Sequence, residues 1–155
     1  MAIFTADHHY RQIALDLARA GLREGERVRL NVAGNSMAPL LRPGDAVWAE
    51  PALPASLRRG DVIVVRRAGG LVTHRLVALG DGEWYTKGDN ARHLDPPVTA
   101  DAILGRVVAI ERGGDRIELR GRQWAIVSRV LGLASWWQAR LFQVGRRLKH
   151  LGRGS

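Results

Sequence analysis

The chain contains no cysteine. This absence excludes disulfides, thiolate catalysis and zinc sites built from cysteine ligands, and it leaves the redox compartment open. No apolar run reaches the roughly 18 residues that a membrane-spanning helix needs. The N-terminal segment also lacks the basic-then-apolar order of a secretory signal. We therefore expect a cytoplasmic protein with neither a transmembrane helix nor a signal peptide.

Acidic residues are missing from the C-terminal part of the chain, and this absence places its charge. The formal net charge is +9. Residues 1–118 are nearly neutral, with sixteen basic and fifteen acidic side chains, whereas residues 119–155 hold eight basic side chains and no acidic one. The basic charge belongs to a tail with its own partner rather than to a whole-domain nucleic-acid surface. No nucleic-acid binding is expected, because residues 1–118 are nearly neutral and carry no nucleic-acid-binding motif.

Most of the chain consists of short apolar or alternating runs separated by glycine and proline turns. These runs predict six or seven short strands between Glu26 and Arg120. Before them, residues 7–20 predict a short helix. Its signals are a capping Asp7, a stop at Gly21 and an apolar repeat at helical spacing, the repeat being formed by Ile13, Leu17 and Ala20.

The sequence divides into three parts on these patterns. Residues 1–25 form an N-terminal helix and lead-in, residues 26–120 a β domain, and residues 121–155 a basic amphipathic helical tail. The fold class is therefore mainly β, with helix at both ends of the chain.

One stretch, "GNSMAPLLRPGD", places a hydroxyl at Ser36 in a turn-rich segment. Without cysteine, a covalent mechanism needs Ser, Thr, Lys or a carboxylate, and a serine needs a His or desolvated Lys as base. The chain has only two lysines, Lys87 and Lys149, and His74 is the one histidine inside a predicted strand of the β domain. His74 shares a strand face with apolar residues, which favours the neutral imidazole of a general base. On the residues alone, a turn serine and a half-buried strand histidine remain open readings.

Five motifs in order resemble the type I signal peptidase superfamily. The serine stretch resembles its Gly-x-Ser-Met-x-Pro-x-Leu-x-x-Gly-Asp signature, and "RRGDVIVV" resembles the strand that follows. "VTHRLVAL" is similar to the His-Arg strand of the archaeal and endoplasmic-reticulum branch, where bacterial housekeeping enzymes and self-cleaving SOS repressors carry lysine. "YTKGDNARHLDP" resembles the Lys-Gly-Asp-Asn box, and "ILGRVVAI" the next strand. The resemblance covers residues 32–110.

The resemblance implies a signal-peptidase or SOS-repressor type of catalytic β fold and a role for each matching residue. Ser36 matches the nucleophile, with its own N–H as oxyanion donor, and His74 matches the general base. Asp95 matches the acid that orients the base. Asp89, inside the box, is the competing acid and is expected to support the loop. Small-side-chain pockets are expected near Met37.

The implied function is a serine endopeptidase that cleaves a protein or peptide precursor through an acyl-enzyme. No cofactor and no metal site is expected. One alternative is a non-catalytic peptide-binding module of the same fold, because the membrane-spanning helix that precedes the serine motif in signal peptidases is missing here. Another is a membrane-surface protein that acts through its tail.

The tail supports peripheral membrane contact through residues 122–151, because arginines and tryptophans lie beside an apolar helical face. Packing of that face on the β domain and docking of a partner protein are the other readings of the same pattern. The expected location is therefore cytoplasmic or peripheral at the membrane.

Overall fold

The computed structural model describes residues 3–80 and 82–119. The predicted helical tail over residues 121–155 lies outside this range. The described elements are one helix, α1 (Ile3–Arg23), and seven strands, β1 (Val28–Asn31), β2 (Ala46–Glu50), β3 (Val62–Arg67), β4 (Gly70–Gly80), β5 (Glu83–Lys87), β6 (Ile103–Arg112) and β7 (Asp115–Glu118).

The strands form one antiparallel sheet in the order β1-β2-β6-β3-β4-β5, and β7 also pairs with β6. The pairs β4–β5 and β6–β7 each form a hairpin. In the second hairpin, Gly113 and Gly114 have φ of 59° and 92°, the left-handed pair that a tight two-residue turn requires. The predicted class, mainly β with a short N-terminal helix, is confirmed.

The centre of the sheet is buried on both faces, as β3 shows. Its first four residues, Val62–Val65, are all β-branched and at most 2% exposed. Val62 and Val64 pack in a cluster with Leu22 of α1. Ile63 and Val65 face the other way and pack in a second cluster that includes Leu57 and Leu76 of the surrounding segments. A central strand buried on both sides reads as a continuous apolar run.

The helix differs from its prediction in extent and in the face that it buries. Gly21 lies inside α1 rather than ending it, and a Cβ there would lie 3.0 Å from Val28 Cγ1. The glycine therefore permits close approach of the helix to β1. The predicted apolar stripe faces solvent, with Ile13 43% and Leu17 67% exposed. Among residues 12–23 of the helix, Ala18, Gly21 and Leu22 are buried, because the sheet lies on their side.

The loop between β1 and β2 is tied to the sheet by Asp45. Its carboxylate accepts hydrogen bonds from Arg112 Nε at 2.9 Å, Arg112 Nη2 at 2.6 Å and the Arg42 N–H at 2.8 Å. The Arg112 hydrogen bonds, despite burial and with help from the Arg42 N–H, hold the pKa of Asp45 below its usual value. Arg112 Nη2 also donates to Leu40 O at 2.8 Å. One ion pair thus fixes both the turn and the loop backbone.

We expect Asp45→Asn to lower the free energy of unfolding at pH 7 by about 1–3 kcal/mol, the cost of weakening a buried charge-assisted bond. Because folding lowers the pKa of Asp45, this stabilisation is complete above the unfolded pKa and disappears as the pH falls through the folded pKa. The difference between wild type and variant should therefore shrink from pH 7 to about pH 3.5. Urea unfolding at both pH values measures it. The control is Asp115→Asn at the exposed β6–β7 turn; a difference for Asp45→Asn that does not change with pH would contradict the expectation.

Candidate active site

Ser36 lies in the loop between β1 and β2, and the residues around it are anchored. Backbone bonds from Val32 N to Asp45 O (2.9 Å) and from Gly44 N to Val32 O (3.1 Å) close the base of the loop. Met37 and Leu41 are 2% and 1% exposed and pack in the core cluster beside α1. The hydroxyl of Ser36 is therefore held on a loop whose apolar side chains are fixed in the core.

His74 joins Ser36 to Asp95. Its Nε2 lies 2.9 Å from Ser36 Oγ and its Nδ1 lies 2.6 Å from Asp95 Oδ2. An ionised Asp95 can only accept, so Nδ1 carries the proton and donates to it. Nε2 is then free to accept the Ser36 hydroxyl proton. His74 is 9% exposed, so these contacts are largely shielded from water.

Asp95 lies along the edge of β5 that faces away from β4. Its N–H donates to Thr86 O at 2.9 Å, and two backbone bonds join Trp84 to Val98 further along. Burial acts to raise the pKa of Asp95, but hydrogen bonds from His74 and Thr86 and the charge of Arg67 outweigh it. The pKa of Asp95 therefore lies below its usual value. The carboxylate is ionised at neutral pH, as the tautomer of His74 requires.

Asp89 has a different partner. It accepts a two-pronged pair of bonds from Arg75, Nε to Oδ1 and Nη2 to Oδ2, both at 2.7 Å. Arg75 is fully buried and its Nη1 donates to Gly60 O at 2.8 Å. Of the two acids that the sequence proposes, Asp95 is thus the one in contact with His74, and Asp89 ties the box to β4 and the turn before β3.

Residues 88–90 cross directly over Ser36. A Cβ on Gly88 would lie 2.5 Å from Ser36 O, 3.1 Å from Ser36 Cβ and 3.2 Å from His74 Nε2. The Asn90 N–H donates to Ser36 O at 2.8 Å. Only a residue without a side chain fits at position 88. The box therefore fixes the Ser36 backbone and packs against the Ser36–His74 contact.

Met37 was predicted to border small-side-chain pockets. Its side chain is 2% exposed and lies in the core, with its sulfur 3.4 Å from the Asp89 N–H. A peptide beside Ser36 would therefore meet other surfaces first. Met37 supports the loop from below.

Three features of the site are not among the sequence-based predictions. Thr86 donates to Asp95, Arg67 reaches the same carboxylate from β3, and Lys87 is fully buried. Among residues 3–80 and 82–119, the Lys87 ammonium nitrogen has no hydrogen-bond partner. Burial lowers the pKa of Lys87 by more than the charges of Asp89 and Asp95 raise it. The alternation of β5 could have placed Thr86 on the His74 face, and Lys87 lies in the Lys-Gly-Asp-Asn box, but no local pattern marks Arg67 or the burial of Lys87.

Within the described part of the chain, no group of three or more His, Asp and Glu side chains could hold a metal ion. In the same residues, no helix is long and apolar enough to cross a membrane.

Residues 2–108 match the family model described as Peptidase S24-like. The chain belongs to the Peptidase S24-like family. The match takes in Ser36, His74, Asp89 and Asp95 and ends within β6, so this S24-like domain contains the whole candidate site. It also supports the signal-peptidase superfamily resemblance. No curated protein matches the chain.

Proposed function

We propose that this S24-like chain is a serine endopeptidase that cleaves a protein or peptide precursor through an acyl-enzyme. The observation that carries the proposal is the unbroken series of contacts from Ser36 Oγ through His74 to Asp95, at 2.9 and 2.6 Å. Hydrogen-bond reach between nucleophile and base, and between base and orienting acid, is the arrangement that activates a serine.

In the proposed first step, Ser36 Oγ attacks the scissile carbonyl and His74 Nε2 takes the hydroxyl proton. Asp95 stabilises the imidazolium through the Nδ1–H bond and stays ionised. Among the described residues, the Ser36 N–H donates to no protein acceptor. It is therefore available to the oxyanion, where a fixed backbone donor has its largest effect.

In the second half of the reaction, His74 gives the proton from Nε2 to the leaving amine, and the C–N bond breaks to leave an ester on Ser36. Water then enters, loses a proton to His74 and attacks the ester carbonyl. The Ser36–acyl bond breaks, and Ser36 recovers its proton from His74. No group outside the chain and water is needed to balance these steps.

Covalent labelling tests the proposal without knowledge of the substrate. A peptidyl phosphonate ester with alanine next to the phosphorus should add one adduct per chain at pH 8, located on Ser36 by peptide mass spectrometry. Ser36→Ala should take up no label. Ser56→Ala is the matched control, because Ser56 Oγ hydrogen-bonds to Leu53 O, outside the site, and it should label like wild type.

Absence of any adduct on the wild-type chain, or a label that persists in Ser36→Ala, would contradict the enzyme proposal. Binding of small-side-chain peptides to such an unreactive protein would instead favour the peptide-binding module. A peptide library incubated with wild type and Ser36→Ala distinguishes these outcomes, because only a peptidase gives cuts that disappear with the hydroxyl.

A further inference from the structure

The carboxylate oxygen that faces His74 is contacted from a second direction. Thr86 Oγ1 donates to Asp95 Oδ2 at 2.6 Å, and Thr86 is fully buried. Arg67 Nη2, from the end of β3, donates to Thr86 Oγ1 at 3.1 Å and to Pro96 O at 3.0 Å, and lies 3.7 Å from Asp95 Oδ2. His74, Thr86 and Arg67 therefore all act on one oxygen atom.

The chemistry of these groups fixes the direction of each bond. A guanidinium has only donors, so Thr86 Oγ1 must be the acceptor for Arg67. The single hydroxyl proton of Thr86 is then directed to Asp95, and donation from a cation strengthens the bond that the hydroxyl makes in turn. Arg67 thereby holds the threonine in the one rotor state that supports the carboxylate.

The charge of Arg67 also acts on the site. It stabilises the ionised Asp95 carboxylate. Burial acts to raise the pKa of Asp95, and the charge of Arg67 adds to the hydrogen bonds that hold that pKa below its usual value. The pair Arg67–Thr86 therefore orients Asp95 and keeps it ionised. Both effects depend on side chains outside the Ser36–His74–Asp95 contacts.

We propose that Arg67 and Thr86 are positioning residues of the site, which hold the Asp95 carboxylate where it accepts the Nδ1–H of His74. The consequence for rate rests on the peptidase function proposed above. The consequence for the His74–Asp95 hydrogen bond does not, because it concerns the resting protein alone.

Other charges near His74 and Asp95 remain in place when Arg67 is changed. Lys87 of β5 acts on Asp95 and Asp89, and the Asp89 charge is paired with Arg75 of β4. Arg92 and His93, on the segment before Asp95, are exposed. The Ser36 loop faces His74 with the uncharged hydroxyl of Ser36. A change at position 67 alone therefore isolates one charge against a constant background.

The test is the proton NMR resonance of the His74 Nδ1–H at neutral pH in the full chain, assigned by its loss in His74→Gln. Because a short bond to a fixed carboxylate moves such a proton far downfield, the resonance should move upfield or be lost by exchange with water in Arg67→Gln. Arg67→Lys keeps the charge and should stay closer to wild type. Arg66→Gln is the matched control. It removes the same charge one residue away, where Arg66 pairs with Asp101 at 3.0 Å.

Thr86→Val, which keeps the shape and removes the hydroxyl, provides a second route. It should have the same effect on the His74 Nδ1–H resonance and should lower kcat by about tenfold with KM little changed, as expected for one lost charge-assisted bond. Thr73→Val, on the opposite face of β4, should do neither.

A His74 Nδ1–H resonance that keeps its wild-type position in both folded Arg67→Gln and folded Thr86→Val would overturn the proposal. The NMR measurement needs no turnover, so a protein that fails the phosphonate test can still pass or fail this one. In an active protein, a wild-type kcat in both variants would also count against the proposed role.

Discussion

Asp95→Asn is expected to lower kcat for peptide cleavage by about 10³–10⁴-fold with little change in KM. An asparagine amide can donate to Nδ1, and an imidazole that accepts there carries its proton on Nε2. That tautomer cannot take the Ser36 proton, and this is the basis of the size of the effect in other serine hydrolases with an orienting acid. Steady-state kinetics on any peptide whose cleavage depends on Ser36 measures it.

The matched control is Asp89→Asn. Asp89 lies in the same box but pairs with the buried Arg75, so its amide variant should lose stability rather than chemistry. Thermal unfolding separates the two effects: the midpoint should fall more for Asp89→Asn, and kcat more for Asp95→Asn. If a folded Asp89→Asn loses kcat as severely as Asp95→Asn, Asp95 is not the sole orienting acid.

Gly88→Ala is expected to lower kcat by at least about 10²-fold. The added methyl would lie 2.5 Å from Ser36 O and 3.2 Å from His74 Nε2, so the loop must move away from the box. A displacement of about 1 Å at reacting groups is enough for a loss of this size. Overpacking should also cost about 1–3 kcal/mol of stability. Both kcat and the rate of phosphonate labelling report the displacement.

Gly69→Ala is the control for this change. A Cβ at Gly69 meets no atom within 4 Å, so the same substitution there should leave kcat and labelling unchanged. Wild-type labelling by a folded Gly88→Ala protein would show that the close packing over Ser36 has no part in the chemistry.

Much of the fold follows from local sequence pattern. The β-branched run of β3 and the Gly113-Gly114 pair each determine their conformation within a few residues, so strands and hairpins could be predicted. The helix face could not, because Ile13 and Leu17 have the spacing of a buried stripe while the sheet lies beside Ala18. Which face is buried depends on where the sheet lies. The spacing of apolar residues along the helix does not determine that position.

The candidate site shows the same division. The motifs and the scarcity of lysine single out Ser36 and His74. The two prolines after Asp95 favour a loop, although the backbone there pairs with β5 through Val98. Arg67 and Lys87 act through neighbours that only the folded sheet supplies. Long-range contacts of this kind leave no periodic trace in the sequence.

Because residues 88–90 pack over Ser36, the site becomes complete only late in the synthesis of the chain. His74 follows Ser36 by 38 residues and Asp95 follows His74 by 21, while the Asn90 bond to Ser36 O needs the segment after β5. A chain synthesised only to the end of β4 has the hydroxyl and the imidazole but neither the orienting carboxylate nor residues 88–90. On the proposed function, such a chain is latent, and cutting begins only once the last of these contacts closes.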